Sequence, residues 1–154
     1  MKVVIVGCGR TGALLSHILF EQGHEVIIMD KNADAFRRVG DLPVKRVVGS
    51  GIDTAALRRT GIKDADVFMA LTNGDNTNIM AAQIAQTQFG VKIAVARIYD
   101  PYRAQAYREM GLSTFCTPLV AARLLSDYIL GRKWSGVDDY VDPIVSGRAE
   151  IEEN

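Results

Sequence analysis

Short apolar runs alternate with longer amphipathic stretches from the first residue to Gly131. Lys2–Val6 is continuous and β-branched, the pattern of a strand buried on both faces. Thr11–Gln22 follows with Leu14, Leu15, Ile18 and Leu19 at helical spacing, and Gly23 stands where a helix would stop. The alternation then predicts a strand over Glu25–Met29, a helix over Asn32–Val39 and a strand over Val44–Val48. Asp53 is placed to cap a helix over Thr54–Thr60, closed by Gly61. A fourth strand is predicted at Val67–Leu71 and a long helix at Asp75–Phe89, stopped by Gly90. Lys92–Ile98 reads as the fifth strand, and Pro101–Met110 as a helix with proline in its first turn. Ser113–Cys116 is a short sixth strand and Pro118–Leu130 a last helix.

Strands alternating with helices imply a parallel sheet with helices on both faces. Six strands in two βαβαβ halves predict an α/β fold that is doubly wound and Rossmann-like, with strand order 3-2-1-4-5-6. The pattern stops after Gly131. Residues 1–131 are therefore expected to form the domain. Arg132–Asn154, with Trp134, Tyr140, Pro143 and an acidic end, is expected to be a tail, draped or disordered, for which Trp134 could serve as an anchor.

Composition narrows the function classes. The 154 residues are 48% hydrophobic and 23% charged, an ordinary globular balance. Eighteen basic and eighteen acidic residues give zero net charge, so no bulk field draws the chain to nucleic acid or to an acidic membrane. Cys8 and Cys116 are too few for a disulfide framework or a four-ligand zinc site, and the chain is expected to be intracellular. No apolar run approaches the ~18 residues of a membrane span. The opening run is also shorter than the ~7–15 apolar residues of a signal core.

The sharpest chemical signal is Gly7-Cys8-Gly9-Arg10-Thr11-Gly12, a G-x-G-x-x-G between a strand and a helix. Gly7 is expected to make the tight turn, Gly9 to let a pyrophosphate approach the backbone, and Gly12 to let helix and strand pack closely. The free N–H groups of the helix N-terminus would then meet the phosphates. Asp30 ends the next strand eighteen residues after Gly12. A carboxylate there can accept hydrogen bonds from both hydroxyls of an adenosine ribose, and it would repel a 2′-phosphate, so NADP is disfavoured.

Further candidates belong to the same crevice. Gly49-Ser50-Gly51-Ile52-Asp53 follows the third strand, where the glycines would let backbone lie beside an adenine and Asp53 reads first as a helix cap. Thr72-Asn73-Gly74-Asp75-Asn76-Thr77-Asn78 is the topological switch loop, suited equally to capping the long helix and to touching a ligand. Arg97 ends the fifth strand and needs an anionic partner, whether a phosphate, Asp75 or Asp100. Arg10 lies within the glycine motif, where a cation at a helix N-terminus is unfavourable unless an anion or a neighbouring subunit takes it up. Elsewhere plain readings suffice. Cys8 and Cys116 are small buried residues, His17 and His24 are structural, and Arg37-Arg38 and Arg58-Arg59 are solvated faces. Met80, Ala81, Ala82, Ile84 and Ala85 form a core or contact stripe.

In combination, Val3-x-x-Val6-Gly-Cys-Gly-Arg-x-Gly12, Asp30, Gly49-x-Gly-x-Asp53, Ala65-Asp66-x-x-x-Ala70-x-Thr72, Asp75-x-x-Asn78 and Ala96-Arg97-x-x-Asp100-Pro101 resemble the TrkA-N domain, the N-lobe of regulators of potassium conductance (RCK). The resemblance spans about residues 1–131. It implies a cytoplasmic regulator with no catalytic or metal-binding residues. Such a regulator would gate a membrane potassium channel or transporter subunit from the inner face of the membrane. The implied ligand is ATP, ADP, AMP or NAD(H), and the implied assembly a dimer or higher ring, with a second RCK subunit as a further partner. Gly7, Gly9 and Gly12 would hold phosphate and Arg10 a terminal phosphate, with Thr11 in the same cofactor site. Asp30 would hold ribose, Lys31 would belong to the same cofactor site, and Gly51 and Asp53 would flank adenine. Thr72, Asn73, Asn78 and Arg97 would complete the crevice. Two departures stand out: Gly49-Ser50 where the family often has Gly-Asp, and the lack of the usual C-terminal lobe after Pro118–Leu130. The chain would therefore be either a stand-alone subunit or a fragment. The rival readings are an NAD-dependent oxidoreductase and a nucleotide or redox sensor unconnected with transport.

Overall fold

A computed structural model of the chain describes residues 1–141. They contain six strands, β1 (Lys2–Val6), β2 (Glu25–Asp30), β3 (Lys45–Val48), β4 (Val67–Ala70), β5 (Ile93–Arg97) and β6 (Ser113–Phe115). The helices are α1 (Arg10–Glu21), α2 (Thr54–Thr60), α3 (Asp75–Phe89), α4 (Pro101–Glu109), α5 (Thr117–Ile129) and α6 (Val137–Val141). The sheet has the order β3-β2-β1-β4-β5-β6, as expected. Its pairings among β1–β5 are parallel, with Val6 opposite Met29 and Ala70 at the carboxyl ends.

The chain divides into two compact units, Met1–Arg97 and the part beginning at Ile98. In the first unit β1 is central, and Val3–Val6 are all buried. Alternate side chains serve the two faces. Val3, Ile5, Val26 and Ile28 pack with Ala13 of α1 and with Ala35, Phe36 and Val39. Val6 and Met29 point the other way, toward Gly51 and toward Gly49 and Ala56. Full burial of each such valine or isoleucine contributes ~1.5–3 kcal/mol. In the second unit Ile98 N–H donates to the Phe115 carbonyl at 3.1 Å, and Thr114 Oγ1 donates to the Ala104 carbonyl at 2.9 Å.

Three segments differ from expectation. The helix predicted over Asn32–Val39 is of the tighter 3-10 kind, over Ala33–Val39. Asn32 caps it by accepting from the Asp34 N–H at 3.0 Å, and its buried Phe36 and Val39 are three residues apart, the repeat of that tighter helix. A second 3-10 turn, Ile62–Asp64, follows Gly61 and was not anticipated. Within the expected tail, Val137–Val141 is helical. Trp134 does not anchor it, being 67% exposed. Tyr140 does: its hydroxyl donates to Asp127 at 3.0 Å and accepts from the Ser135 N–H at 2.9 Å. The rest of that expected tail, residues 142–154, lies outside the described residues.

Candidate functional site

The candidate site lies at the carboxyl ends of β1, β2, β3 and β4, and the turn after β1 is its centre. Gly7 adopts φ +107°, a region that favours glycine, and its N–H donates to the Met29 carbonyl at 2.7 Å. A Cβ there would also lie 2.7–2.8 Å from the Leu71 carbonyl group and the Thr72 nitrogen. A Cβ at Gly12 would collide with the Gly7 carbonyl oxygen, so this glycine sets how closely α1 seats on the turn. Gly9 is different. Its backbone is ordinary (φ −77°, ψ −171°), and a Cβ would meet nothing within 4 Å. Among the described residues nothing requires glycine at position 9, whereas an incoming group that must touch the backbone would.

Gly9 is also the N-cap of α1 and offers no side-chain acceptor, and the first turn of α1 carries no acid. The Ala13 N–H is satisfied by the Gly9 carbonyl at 2.9 Å. The preceding amides of Arg10, Thr11 and Gly12 are the group that a helix start leaves without intrahelical acceptors. A bound anion would satisfy them and gain from the helix dipole. Arg10 and Thr11 are both exposed beside that opening.

Asp30, half-buried at the end of β2, is bound to this turn. Its Oδ2 accepts from the Cys8 N–H at 2.7 Å, and its Oδ1 accepts from the Asn32 N–H at 2.9 Å. A carboxylate has about four lone-pair positions, so capacity remains on both oxygens for two hydroxyl donors. The same carboxylate thus fixes the turn and is presented beside it. Burial pushes the Cys8 thiol up, and the Asp30 carboxylate adds to this, while Arg38 and Arg46 pull the other way. Cys8 Sγ donates to the Ala35 carbonyl at 3.2 Å, consistent with a small buried residue rather than a reactive thiol. Just past Asp30, a cavity of about 510 Å³ is lined by Asn32, Asp34, Ala35, Arg37 and Arg38. Arg37 and Arg38, read from sequence as a solvated face, are exposed, and sequence reasoning did not anticipate that they line an opening. Lys31 is exposed.

After β3, Gly51 is buried, and a Cβ there would press on Val6 Cγ1 at 2.5 Å. Gly49 N–H donates to the Asp30 carbonyl at 2.9 Å. These glycines hold the loop against β1 and β2. Asp53 is exposed and caps α2, its Oδ1 accepting from the amides of Ala55 (2.8 Å) and Ala56 (3.3 Å). After β4, Thr72, Asn78 and Arg97 form one hydrogen-bonded cluster. Asn78 Oδ1 accepts from the Thr72 N–H (2.8 Å) and Oγ1 (2.7 Å), while its Nδ2 donates to the carbonyls of Thr72 and Arg97, each at 2.9 Å. Arg97 donates to the Thr72 carbonyl at 2.6 Å. Asp100, considered above as a partner for Arg97, accepts from the Arg103 N–H and caps α4. Asn73 is exposed at the tip of the loop.

The structure therefore brings the glycine turn, Asp30, Gly51 and Thr72 to one edge of the sheet. It leaves Asp53 as a cap and sets Asn78 and Arg97 behind Thr72.

Comparison with known proteins bears on the family and the fold. The profile of the TrkA-N domain family matches residues 3–118. A Trk system potassium uptake protein TrkA of Streptomyces coelicolor is 44% identical over 133 residues, covering 86% of this chain but 58% of that protein. The chain thus spans less than two thirds of that relative's length. Among solved structures, the Kef C-terminal domain of Shewanella denitrificans in an AMP-bound form superposes with a TM-score of 0.74 at 23% identity. That match covers 85% of this chain and 80% of the other. The GsuK channel bound to NAD superposes with a TM-score of 0.65 at 22% identity, covering 82% of this chain and 22% of that one. At these identities the two structures speak for the fold.

Proposed function

This chain belongs to the TrkA-N domain family, and from that premise we propose that it is a nucleotide-binding regulator of a potassium channel or transporter. The observation that carries the reading is the pairing of an uncapped α1 N-terminus, open at Gly9, with the Asp30 carboxylate at the next strand end. An adenosine diphosphate moiety fits that pairing. Its phosphates would accept from the first amides of α1, its ribose hydroxyls would donate to Asp30, and its base end would reach toward Gly51 and the cavity past Asn32. Arg10 would reach a terminal phosphate. AMP and NAD are the ligands bound by the two structural relatives, and both carry adenosine phosphate. A 2′-phosphate would meet the Asp30 carboxylate, so NADP is disfavoured. Residues 1–131 are the binding lobe in this reading.

The output is a shift of population rather than a chemical step. A ligand with a tenfold preference for one state supplies ~1.4 kcal/mol. Moving a gate from 1:99 to 99:1 takes ~5.5 kcal/mol, about four coupled sites. The proposal therefore includes a homo-oligomer, held at the cytoplasmic face by a membrane partner whose ion, following the TrkA relative, is potassium.

Mass spectrometry of the denatured protein should release an adenine nucleotide or NAD(H), and added AMP, ADP, ATP or NADH should raise the melting temperature. At one hundred times Kd the stabilisation is ~2.7 kcal/mol. NADPH should do less. If no adenylate or dinucleotide co-purifies or stabilises the fold, the reading is wrong.

A further inference from the structure

We propose that Asn78 is a positioning residue for the nucleotide. It never touches the ligand, but it holds the peptide against which the phosphate-binding turn is built. The inference rests on the nucleotide reading of the glycine turn and adds to it a residue that acts from behind.

The wall of that turn is the Leu71–Thr72 peptide, which Gly7 approaches so closely that a Cβ would lie 2.7–2.8 Å from it. Any movement of this peptide moves the space available to Gly7. The residue before it is tied to β1, where the Leu71 N–H donates to the Val6 carbonyl at 2.7 Å. Its own N–H, at Thr72, is held by Asn78 Oδ1. The Thr72 carbonyl is held as well, by Asn78 Nδ2 and by Arg97. Thr72 is thus fixed at nitrogen, oxygen and hydroxyl, chiefly by one side chain.

That side chain has nothing left to offer a ligand. A primary amide has two donors and two acceptor positions. Asn78 uses all four, on Thr72 N, Thr72 Oγ1, Thr72 O and Arg97 O, and it is fully buried. A buried amide is costly unless satisfied, and asparagine is a poor residue for a helix interior. Here it stands in the first turn of α3, where its own N–H already donates to the Gly74 carbonyl at 3.0 Å. Its side chain is therefore not needed to start the helix. What it adds is a fixed distance between the β4 end, the β5 end and the wall of the glycine turn.

The test compares Asn78→Ala, Thr72→Val and Thr72→Ser with the parent chain. It uses calorimetric titration with ADP and with NADH below the melting range, together with amide NMR of the ligand-free proteins. Asn78→Ala should raise Kd at least tenfold and shift or broaden the signals of Gly7, Cys8 and Gly9 before any ligand is added. Thr72→Val, which removes only the hydroxyl, should raise Kd about threefold, and Thr72→Ser should restore the parent value. The Thr72→Val/Asn78→Ala double variant should bind no worse than Asn78→Ala alone. A lower melting temperature with parental Kd and parental loop signals would reduce Asn78 to a purely structural residue and overturn the proposal. Should Asn78→Ala fail to fold, an unchanged Kd in Thr72→Val has the same force. Should the parent bind neither ligand, the nucleotide reading fails, and unperturbed Gly7–Gly9 signals in Asn78→Ala would separately reject the positioning role.

Discussion

The turn after β1 and the loop after β4 meet at a single peptide, yet they use their hydrogen bonds in opposite ways. Around Thr72, donors and acceptors are satisfied within the protein through Asn78 and Arg97. At the start of α1 there is no side-chain cap and no acid, and Gly9 faces open space. One loop is a finished support and the other an unfinished surface. The contrast teaches that polar residues clustered at a strand end can be spent on one another. On the proposed reading, ligand contact falls instead where polar capacity is left unspent beside a rigid neighbour.

Four substitutions would break or sharpen this contrast. The largest effect belongs to Gly12→Ala. Its Cβ would strike the Gly7 carbonyl, which neither backbone element can easily yield, so a loss of ~3 kcal/mol or more in thermal unfolding is expected, together with loss of nucleotide binding. Asp30→Ala comes next. It removes the acceptor for the Cys8 and Asn32 amides and for the ribose, with an expected cost of ~1–3 kcal/mol in stability and a comparable loss in ADP affinity. Gly9→Ala separates the two properties. Its melting temperature should stay near the parent's, because its Cβ meets no protein atom, while ADP and NADH affinity fall at least tenfold, ~1.4 kcal/mol. Equal losses of stability and affinity would show that the opening at Gly9 is not a ligand space. Asp53→Ala should have the smallest effect on binding. It should lose ~1 kcal/mol of stability with the α2 cap and leave nucleotide affinity unchanged, and a clear affinity loss would return Asp53 to the ligand set.

Much of the fold was legible because strands buried on both faces leave unbroken apolar runs, as Val3–Val6 and Val26–Met29 do. Glycines at Gly61 and Gly90 marked helix ends, and both take left-handed conformations there. The 3-10 geometry at Ala33–Val39 was not legible, since Ala35, Phe36 and Val39 fit either helical repeat until packing chooses. Helix α6 was hidden because the apolar periodicity that reveals a helix needs more than its five residues. In the site, the three glycines and Asp30 could be read from spacing. The division of labour among Thr72, Asn78 and Arg97 could not, because it depends on where each hydrogen bond ends, and that is set by the crossing of β4, α3 and β5. The cavity past Asp30 was not legible either, because sequence marks Arg37 and Arg38 as the surface charges they are but not that they line one opening.

The central claim is that the glycine turn and Asp30 together hold an adenosine phosphate. Amide NMR of the whole chain titrated with ADP tests it most directly. The expected result is saturable movement of the Gly9, Arg10, Thr11 and Gly12 signals, accompanied by those of Asp30 and Asn32, with the Asp53–Ala56 cap unmoved. Saturation at another place on the chain, or no movement at these residues at millimolar ADP, would contradict it.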